Sequence, residues 1–247
     1  MSCYALEPIA DCVSKISTWN PRKSDSEEEF SYIDLSSVDK DKKGVVLNLV
    51  SRVFPADAPS RARQLVESGD VLISTVRPNL NGVAEITEEI DGATASTGYC
   101  VLRPNIKKLD TKYLYFWAQT NSFVSDMVSK ATGANYPAVS DKTVKESLIP
   151  LPPLSEQKRI AAILDKADAI RRKRQQAIQL ADQFLRSVFL DMFGDSETPG
   201  WEFTTVEHMT ASEKGSMRTG PFGSDLKHSE FVEKGVSVLG IDNAVQN

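Results

Sequence analysis

The chain has 247 residues and a mass of 27.2 kDa, a length that suits one large domain or two modest ones. Hydrophobic residues make up 40% and charged residues 26% of the sequence, which is ordinary for a soluble globular protein. Apolar runs stay well short of the roughly 18 residues that a membrane span needs, and the N-terminus lacks the pattern of a secretory signal. We therefore expect a cytoplasmic protein with no membrane partner.

The formal net charge is −5, but positive charge is concentrated in one part of the chain. Residues 124–175 carry 10 basic and 6 acidic side chains, a bias that would form one electropositive face. The sequence pI of about 5.2 is far below that of a free-standing DNA-binding domain. Any contact with DNA would therefore need help from partner proteins.

The first 150 residues predict a mixed α/β domain. Short β-branched runs predict strands, helical spacing of apolar residues predicts a helix, and Pro and Gly mark the loops between them. The predicted elements, in chain order, are a strand over 71–76, a loop over 77–82, strands over 82–86 and 98–104, a helix over 110–130 and a loop over 131–140.

A long helix is predicted after a proline-rich segment. The prolines of residues 150–153 hold the chain extended, and Ser155 is the predicted N-cap. From Glu156 to Phe193 the sequence contains no Pro or Gly, so the helix would span roughly 55 Å before Gly194 ends it.

One face of this predicted helix is apolar at steps of mostly three and four residues, which is typical of a coiled coil. Arg174 interrupts the series and would set the register of pairing. The basic run 171–174 predicts either a phosphate patch or a solvated helix face. The residues expected to pair with another helix are Ile160, Ile163, Ala167, Ile170, Arg174, Ala177, Ala181, Phe184 and Val188.

The residues after Pro199-Gly200 begin like another domain. Four apolar positions there have the same offsets as four near the N-terminus, a weak echo that chance would also explain: Tyr4, Leu6, Ile9 and Cys12 against Trp201, Phe203, Val206 and Met209. The chain stops soon afterwards, so we expect a truncated second domain. The predicted organisation is an α/β (α+β) domain over 1–150, a linker over 151–154, a coiled-coil-forming helix over 155–194 and an incomplete second domain over 195–247.

The sequence lacks the patterns of the common enzyme sites. It has no Gly-rich phosphate loop, HExxH or paired CxxC, and its three cysteines have no metal-ligand spacing. Glu156-Gln157-Lys158 has the spacing of a nuclease half-motif but no suitably placed acidic partner. We predict no catalytic residue and no metal site, and interpret the chain as a recognition or scaffold protein.

Several motifs resemble the DNA-specificity subunits of type I restriction–modification systems. The segment LPPLSEQKRI, Leu151 to Ile160, is the most specific of them, and ESGDVLIST, residues 67–75, resembles a strand of the recognition domain in that family. GANYPAVSDKTVKESLIPLPP, residues 133–153, resembles the closing segment of that domain. GPFGSDLKHSEFVEKGVSVLGIDN, residues 220–243, resembles the opening of a second one.

The resemblance implies a non-catalytic chain that reads one half of a bipartite DNA target. In the family, two target recognition domains alternate with two long helices, which set the spacing between half-sites and dock two modification subunits. This chain departs from that pattern, with one whole recognition domain and one helix. The implied partners are double-stranded DNA, the methyltransferase subunits, the restriction (translocase) subunit and a second copy of the chain. S-adenosylmethionine, ATP and Mg are then expected on partner subunits and no cofactor on this chain.

Two predicted loops match the DNA-facing segments of that family. Arg77 would contact guanine and an asparagine would read adenine, although Asn and Gly equally shape turns. Arg61 and Arg63 would touch phosphates or form an exposed helix start. The candidate DNA-binding residues are Arg61, Arg63, Arg77, Asn79, Asn81, Lys130, Thr132, Asn135, Tyr136 and Lys142. The alternative function is a coiled-coil adaptor that binds protein and has no DNA specificity.

Overall fold

The computed structural model describes residues 4–194 and 204–212. The strands are β1 (Leu6–Pro8), β2 (Val13–Ser14), β3 (Phe30–Ile33), β4 (Val38–Asp39), β5 (Gly44–Val45), β6 (Ser51–Val53), β7 (Ala62–Leu65), β8 (Val71–Ser74), β9 (Val83–Glu85), β10 (Thr94–Ser96), β11 (Tyr99–Pro104) and β12 (Leu148–Pro150). The helices are α1 (Thr111–Trp117), α2 (Asn121–Lys130), α3 (Asp141–Glu146), α4 (Leu154–Phe193) and α5 (Val206–Met209).

The chain divides into two compact units, Met1–Gln183 and Phe184–Asn247, and the boundary lies within α4. Of the predicted second domain, residues 195–247, only 204–212 belong to the described part of the chain. The segment 220–243, which carries the resemblance to a second recognition domain, lies outside it.

Two four-stranded sheets form the framework of the first unit. One has the strand order β2-β11-β8-β9 and is antiparallel throughout. The other has the order β6-β3-β10-β7, with β10 parallel to β3 and antiparallel to β7. β4 pairs with β5, and β1 pairs with β12, so the first strand of the chain closes the domain just before α4 begins.

Strand β8 is buried on both faces, as its continuous apolar sequence predicts. Val71 and Ile73 face a core cluster to which α1, α2 and α3 also contribute. Leu72, on the opposite face, packs in a second cluster with Ile33 and Tyr99. Because successive strand residues point to opposite faces, β8 joins the two clusters and holds the loop that follows it on a rigid base.

The prediction of a single helix over residues 110–130 is wrong in one respect, because the structure has two helices there. α1 ends at Trp117 and α2 begins at Asn121. The Thr120 side chain accepts a hydrogen bond from the Phe123 amide at 3.2 Å and donates one to the Trp117 carbonyl at 2.8 Å. These bonds cap the new helix and replace bonds of a continuous one.

Other predicted boundaries need smaller corrections. The strand predicted over 71–76 ends at Ser74, and α4 begins at Leu154, so Ser155 lies inside the first turn rather than at the N-cap. The interpretation of residues 61–63 as a helix start is wrong, because β7 begins at Ala62. The predicted end of the long helix is confirmed: Gly194 has φ 72° and its amide donates to the Leu190 carbonyl at 2.8 Å.

Candidate nucleic-acid interface

Two loops far apart in sequence lie side by side on the first unit. The Arg77 loop, residues 77–81, follows β8, and the Tyr136 loop, residues 131–138, follows α2. The Arg77 amide donates to the Pro137 carbonyl at 2.7 Å, and Val76 forms an isolated bridge with Ala138. Backbone hydrogen bonds therefore join the two predicted recognition loops into one surface.

Within this surface, the Arg77 guanidinium lies over the ring of Tyr136. Its Cζ is 4.5 Å from the ring centroid, the distance of a cation–π contact. Both residues are exposed, Tyr136 to 68%. Arg77 has φ 50° and ψ 62°, a left-handed conformation that is uncommon for residues other than glycine.

The Tyr136 loop owes its tight shape to glycine and backbone pairing. Thr132 and Ala138 exchange two backbone hydrogen bonds, each 2.9 Å long. Gly133 has φ 104°, and a Cβ there would lie 3.0 Å from the Tyr136 carbonyl oxygen. Asn135 and the Thr132 side chain are exposed on this loop. The backbone therefore forms a closed turn that presents polar groups to solvent.

The asparagines of the Arg77 loop differ in their surroundings. Asn79 is exposed and can reach a ligand. Asn81 is half-buried and has φ 48°. Its side-chain amide donates a long hydrogen bond of 3.5 Å to the Gln119 carbonyl. This conformation fits the turn-shaping alternative for Asn81.

Lys43 supports the Arg77 loop and was not among the predicted site residues. Its Nζ donates to the Asn81 carbonyl at 2.6 Å, and its own carbonyl accepts from the Tyr115 hydroxyl at 2.8 Å. Burial lowers the pKa of the Lys43 ammonium. The only sequence signal for this role is the turn-forming stretch DKDKKG, residues 39–44, which forms the β4–β5 hairpin.

A cleft of about 180 Å³ lies beside Arg77. Its walls include Val76, Leu80 and Tyr136, and Lys40 of the β4–β5 hairpin also lines it. An apolar wall beside cationic groups can accept the face or methyl group of a base while the charges meet polar edges and phosphates.

The other predicted cations stand in different settings. Lys130 and Lys142 pair with carboxylates one turn away on their own helices, Asp126 at 2.7 Å and Glu146 at 3.6 Å. Arg63 donates to the Asn20 side chain, whereas Arg61 is exposed. The Arg61 carbonyl accepts a hydrogen bond from the Thr97 amide. The carbonyl of the next residue, Gly98, accepts one from the Thr75 amide, two residues before Arg77. Arg61 therefore lies at the same end of the sheets as the Arg77 loop.

The described part of the chain contains neither a metal-binding cluster nor an activated thiol. No cluster of His, Cys, Asp or Glu suited to a metal ion occurs among residues 4–194 and 204–212. Cys12 and Cys100 are buried, and burial raises the pKa of both thiols, that of Cys100 to about 12, so neither is an activated nucleophile. No described helix is long and apolar enough to cross a membrane.

The predicted pairing stripe of α4 is mostly exposed. Ile163, Ile170 and Phe184 are 54%, 55% and 67% exposed. The stripe alanines, Ala167, Ala177 and Ala181, and Arg174 are exposed as well, and Val188 is half-buried. Ile160 instead packs against the main core cluster of the first unit, so the open part of the stripe begins at Ile163.

Comparison with known proteins points to one family. Residues 62–180 match the family described as type I restriction modification DNA specificity domain. The type I restriction enzyme EcoDI specificity subunit of Escherichia coli is 28% identical over 150 residues, which cover 59% of this chain and 32% of that subunit. The crystal structure of the HsdS subunit from Thermoanaerobacter tengcongensis is 30% identical with a TM-score of 0.61, and the match covers 81% of this chain and 52% of that one.

A chain from a solved type I R-M system is 28% identical with a TM-score of 0.64, covering 83% of this chain and 52% of that one. The chain thus spans about half the length of these solved chains and about a third of the curated relative. Residues 62–180 are thus similar to the type I restriction modification DNA specificity domain. The predicted resemblance and the predicted α/β domain followed by a long helix are confirmed. The curated relatives are specificity subunits of type I restriction enzymes.

Proposed function

We propose that the first unit reads one half of a bipartite DNA target through the surface formed by the Arg77 and Tyr136 loops. The observation that carries this proposal is the contact between Arg77 and Tyr136, which unites two separate loops in one exposed, polar and cationic surface. A guanidinium held over a ring is oriented for bidentate contact with the O6 and N7 of guanine. The exposed amides of Asn79 and Asn135 are suited to adenine.

In this proposal the remaining cations hold the DNA backbone. Arg61, Arg63, Lys130 and Lys142 would contact phosphates, which position the protein without selecting a sequence. The ion pairs of Lys130 and Lys142 with their helical neighbours are exposed, so they cost little to exchange for a phosphate. The net charge of −5 is compatible with this role if modification subunits supply the other phosphate contacts.

We further propose that α4 sets the distance between half-sites and docks the modification subunits. The exposed apolar stripe from Ile163 onwards supports both roles, because it offers a long surface to another helix. Methylation and translocation, with S-adenosylmethionine, ATP and Mg, would then belong to the modification and restriction subunits. The stripe also supports self-association of the chain, and it is the feature that favours the alternative of a coiled-coil adaptor.

DNA binding by the chain assembled with its modification subunits tests the proposal. We expect Arg77→Ala to relax recognition at one base pair by about 1–3 kcal/mol. Lys130→Ala should weaken binding to all sequences and lower the slope of log K against log salt by about one unit. Lys107→Ala removes the same charge from an exposed turn outside both loops and should change neither quantity.

Each outcome has a clear meaning. A changed sequence preference in Arg77→Ala alone assigns base reading to the Arg77 loop. Unchanged preference in Arg77→Ala together with unchanged affinity in Lys130→Ala would remove both loops from the DNA surface. An assembled complex that shows no preference among DNA sequences would favour the adaptor instead.

A further inference from the structure

Gln157 is a polar side chain with no exposure to solvent at the start of α4. Its Oε1 accepts a hydrogen bond from the Asp110 amide at 2.9 Å. Its Nε2 donates to the Lys108 carbonyl at 3.0 Å and to the Pro152 carbonyl at 2.8 Å. One amide therefore connects the long helix, the proline segment before it and the turn that precedes α1.

The groups that Gln157 contacts are themselves fixed in the domain. Asp110 caps α1 by accepting from the Tyr113 amide at 3.0 Å, and the Tyr113 hydroxyl donates to the Pro150 carbonyl at 2.8 Å. Pro150 in turn lies in β12, which pairs with β1. The hydrogen bonds of Gln157 thus reach both the helical and the strand parts of the recognition domain.

The contact between helix and domain extends over the first three turns of α4. Ala161 is 4% exposed and belongs to the main core cluster. Farther along, Asp165 lies 3.5 Å from Lys112, which also pairs with Glu85 of β9 at 2.6 Å. Gln157 is the one side chain in this contact that is fully buried and hydrogen-bonded at both of its polar atoms.

A buried amide in this position resists rotation of the helix. Tilting α4 away from the domain would leave the Gln157 amide and its backbone partners unpaired and away from water, which is costly. The lever is long, since residues 157–183 span roughly 39 Å. A tilt of about 10° would move the far end by about 7 Å, the length of two base pairs.

We propose that Gln157 is a positioning residue that fixes the direction in which α4 leaves the recognition domain, and so decides which spacer lengths between half-sites are accepted. The inference rests on the proposed role of α4 as a spacer. Gln157 is the glutamine of the LPPLSEQKRI segment. The charged residues on either side of it do not take part in this positioning role.

The test combines a DNA readout with a distance measurement. Gln157→Ala removes all three side-chain hydrogen bonds, and Gln157→Met removes the same bonds while keeping the length of the side chain without adding a charge. Gln179→Ala is the matched control, because Gln179 is an exposed glutamine of the same helix. Each variant, assembled with its modification subunits, is offered DNA in which the two half-sites are separated by spacers of graded length.

The distance measurement uses spin labels at Ser60→Cys on the domain and Gln176→Cys on α4, both exposed positions within the first unit. Cys3 is changed to Ser, while Cys12 and Cys100 are buried and stay in place. We expect Gln157→Ala to broaden the distance distribution and to reduce the preference for the best spacer by about tenfold. Gln157→Met lacks the same hydrogen bonds and should have the same effect, and Gln179→Ala should match the wild type.

The outcomes separate this inference from the proposed function. If the wild type binds without preference for any spacer, the spacer role of α4 fails, and the distance distribution alone decides whether Gln157 fixes the helix. If the wild type selects one spacer and Gln157→Ala selects it equally well, with an unbroadened distribution, the inference is overturned. Should Gln157→Ala fail to fold, the Gln157→Met variant decides by the same two measurements.

Discussion

At the scale of single residues, the proposed recognition surface depends on a contact that local sequence does not encode. Arg77 and Tyr136 lie on loops that each carry ordinary turn residues, and backbone hydrogen bonds between residues 75–77 and 137–139 bring them together. The strained backbone of Arg77 and the ring beneath its guanidinium both limit the directions that this side chain can take. Base recognition by Arg77 should therefore depend on Tyr136 even if the tyrosine touches no base.

We expect Tyr136→Leu to weaken specific binding by about 0.5–1 kcal/mol, the usual strength of an exposed cation–π contact. Tyr136→Phe keeps the ring and should bind like the wild type. In the double variant Tyr136→Leu, Arg77→Ala, the loss should be smaller than the sum of the two single losses. Titration of the target DNA with the four assembled proteins gives the coupling, and additive losses would show that the ring does not orient Arg77.

The two recognition loops were predictable because Pro and Gly interrupt the chain on either side of clear strands and helices. Lys43 was not, since its role depends on a left-handed turn in the β4–β5 hairpin and on a carbonyl 38 positions away in sequence. The same limit applies to Gln157, whose partners lie 47 and 49 positions away. Interactions that are distant in sequence leave no periodic pattern to find.

At the scale of elements, the sequence predicted β8, β9, β11 and the helical regions of α1, α2 and α4, but placed some of their ends wrongly. It predicted neither α3 nor the other nine strands of the described residues. The spacing of Leu114, Phe123 and Met127 continues across the junction of α1 and α2, so periodicity alone predicts a single helix. The capping threonine at position 120 is the local signal that ends it. The weak echo between the N-terminus and residues 201–209 is described only in its second half, where Ile9–Cys12 is a 3-10 turn and Val206–Met209 an α-helical turn.

The junction between α1 and α2 supports the Arg77 loop, because the Asn81 side-chain amide donates a hydrogen bond to the Gln119 carbonyl there. We expect Thr120→Ala to lower the free energy of unfolding by about 1 kcal/mol through loss of the cap. Thr120→Ser keeps the hydroxyl and should cost less. Ser122→Ala, at an exposed position two residues into α2, is the matched control and should change stability by less than about 0.5 kcal/mol. Urea unfolding measures all three, and equal stability of the alanine and serine variants at position 120 would contradict the capping role.

At the scale of the whole molecule, the long helix α4 leaves many large apolar side chains exposed to solvent. Between positions 163 and 180 the described part of the chain exposes Ile163, Ile170, Ile178 and Leu180 to more than half of their area. Burying a side chain of this size fully is worth about 1.5–3 kcal/mol, whereas association costs from about 4 kcal/mol upwards. Ile163 and Ile170 of the stripe, with Ile178 and Leu180 outside it, therefore offer enough apolar area for a partner helix, and a second copy of the chain presents the same surface.

We predict that the purified chain forms a two-fold dimer through antiparallel pairing of α4, an isologous interface in which each stripe covers the other. Sedimentation equilibrium should give a dimer at tens of micromolar, and Ile163→Asp with Ile170→Asp should give a monomer because two charges would be buried without partners. Ile106→Asp places the same charge at a residue that is 76% exposed outside α4, and this variant should remain dimeric. Two identical recognition domains related by a two-fold axis would favour an inverted-repeat target, so the dimer and its DNA preference should be lost together in the double variant. A wild-type chain that sediments as a monomer, or a dimer that survives both aspartates, would rule out pairing through this stripe.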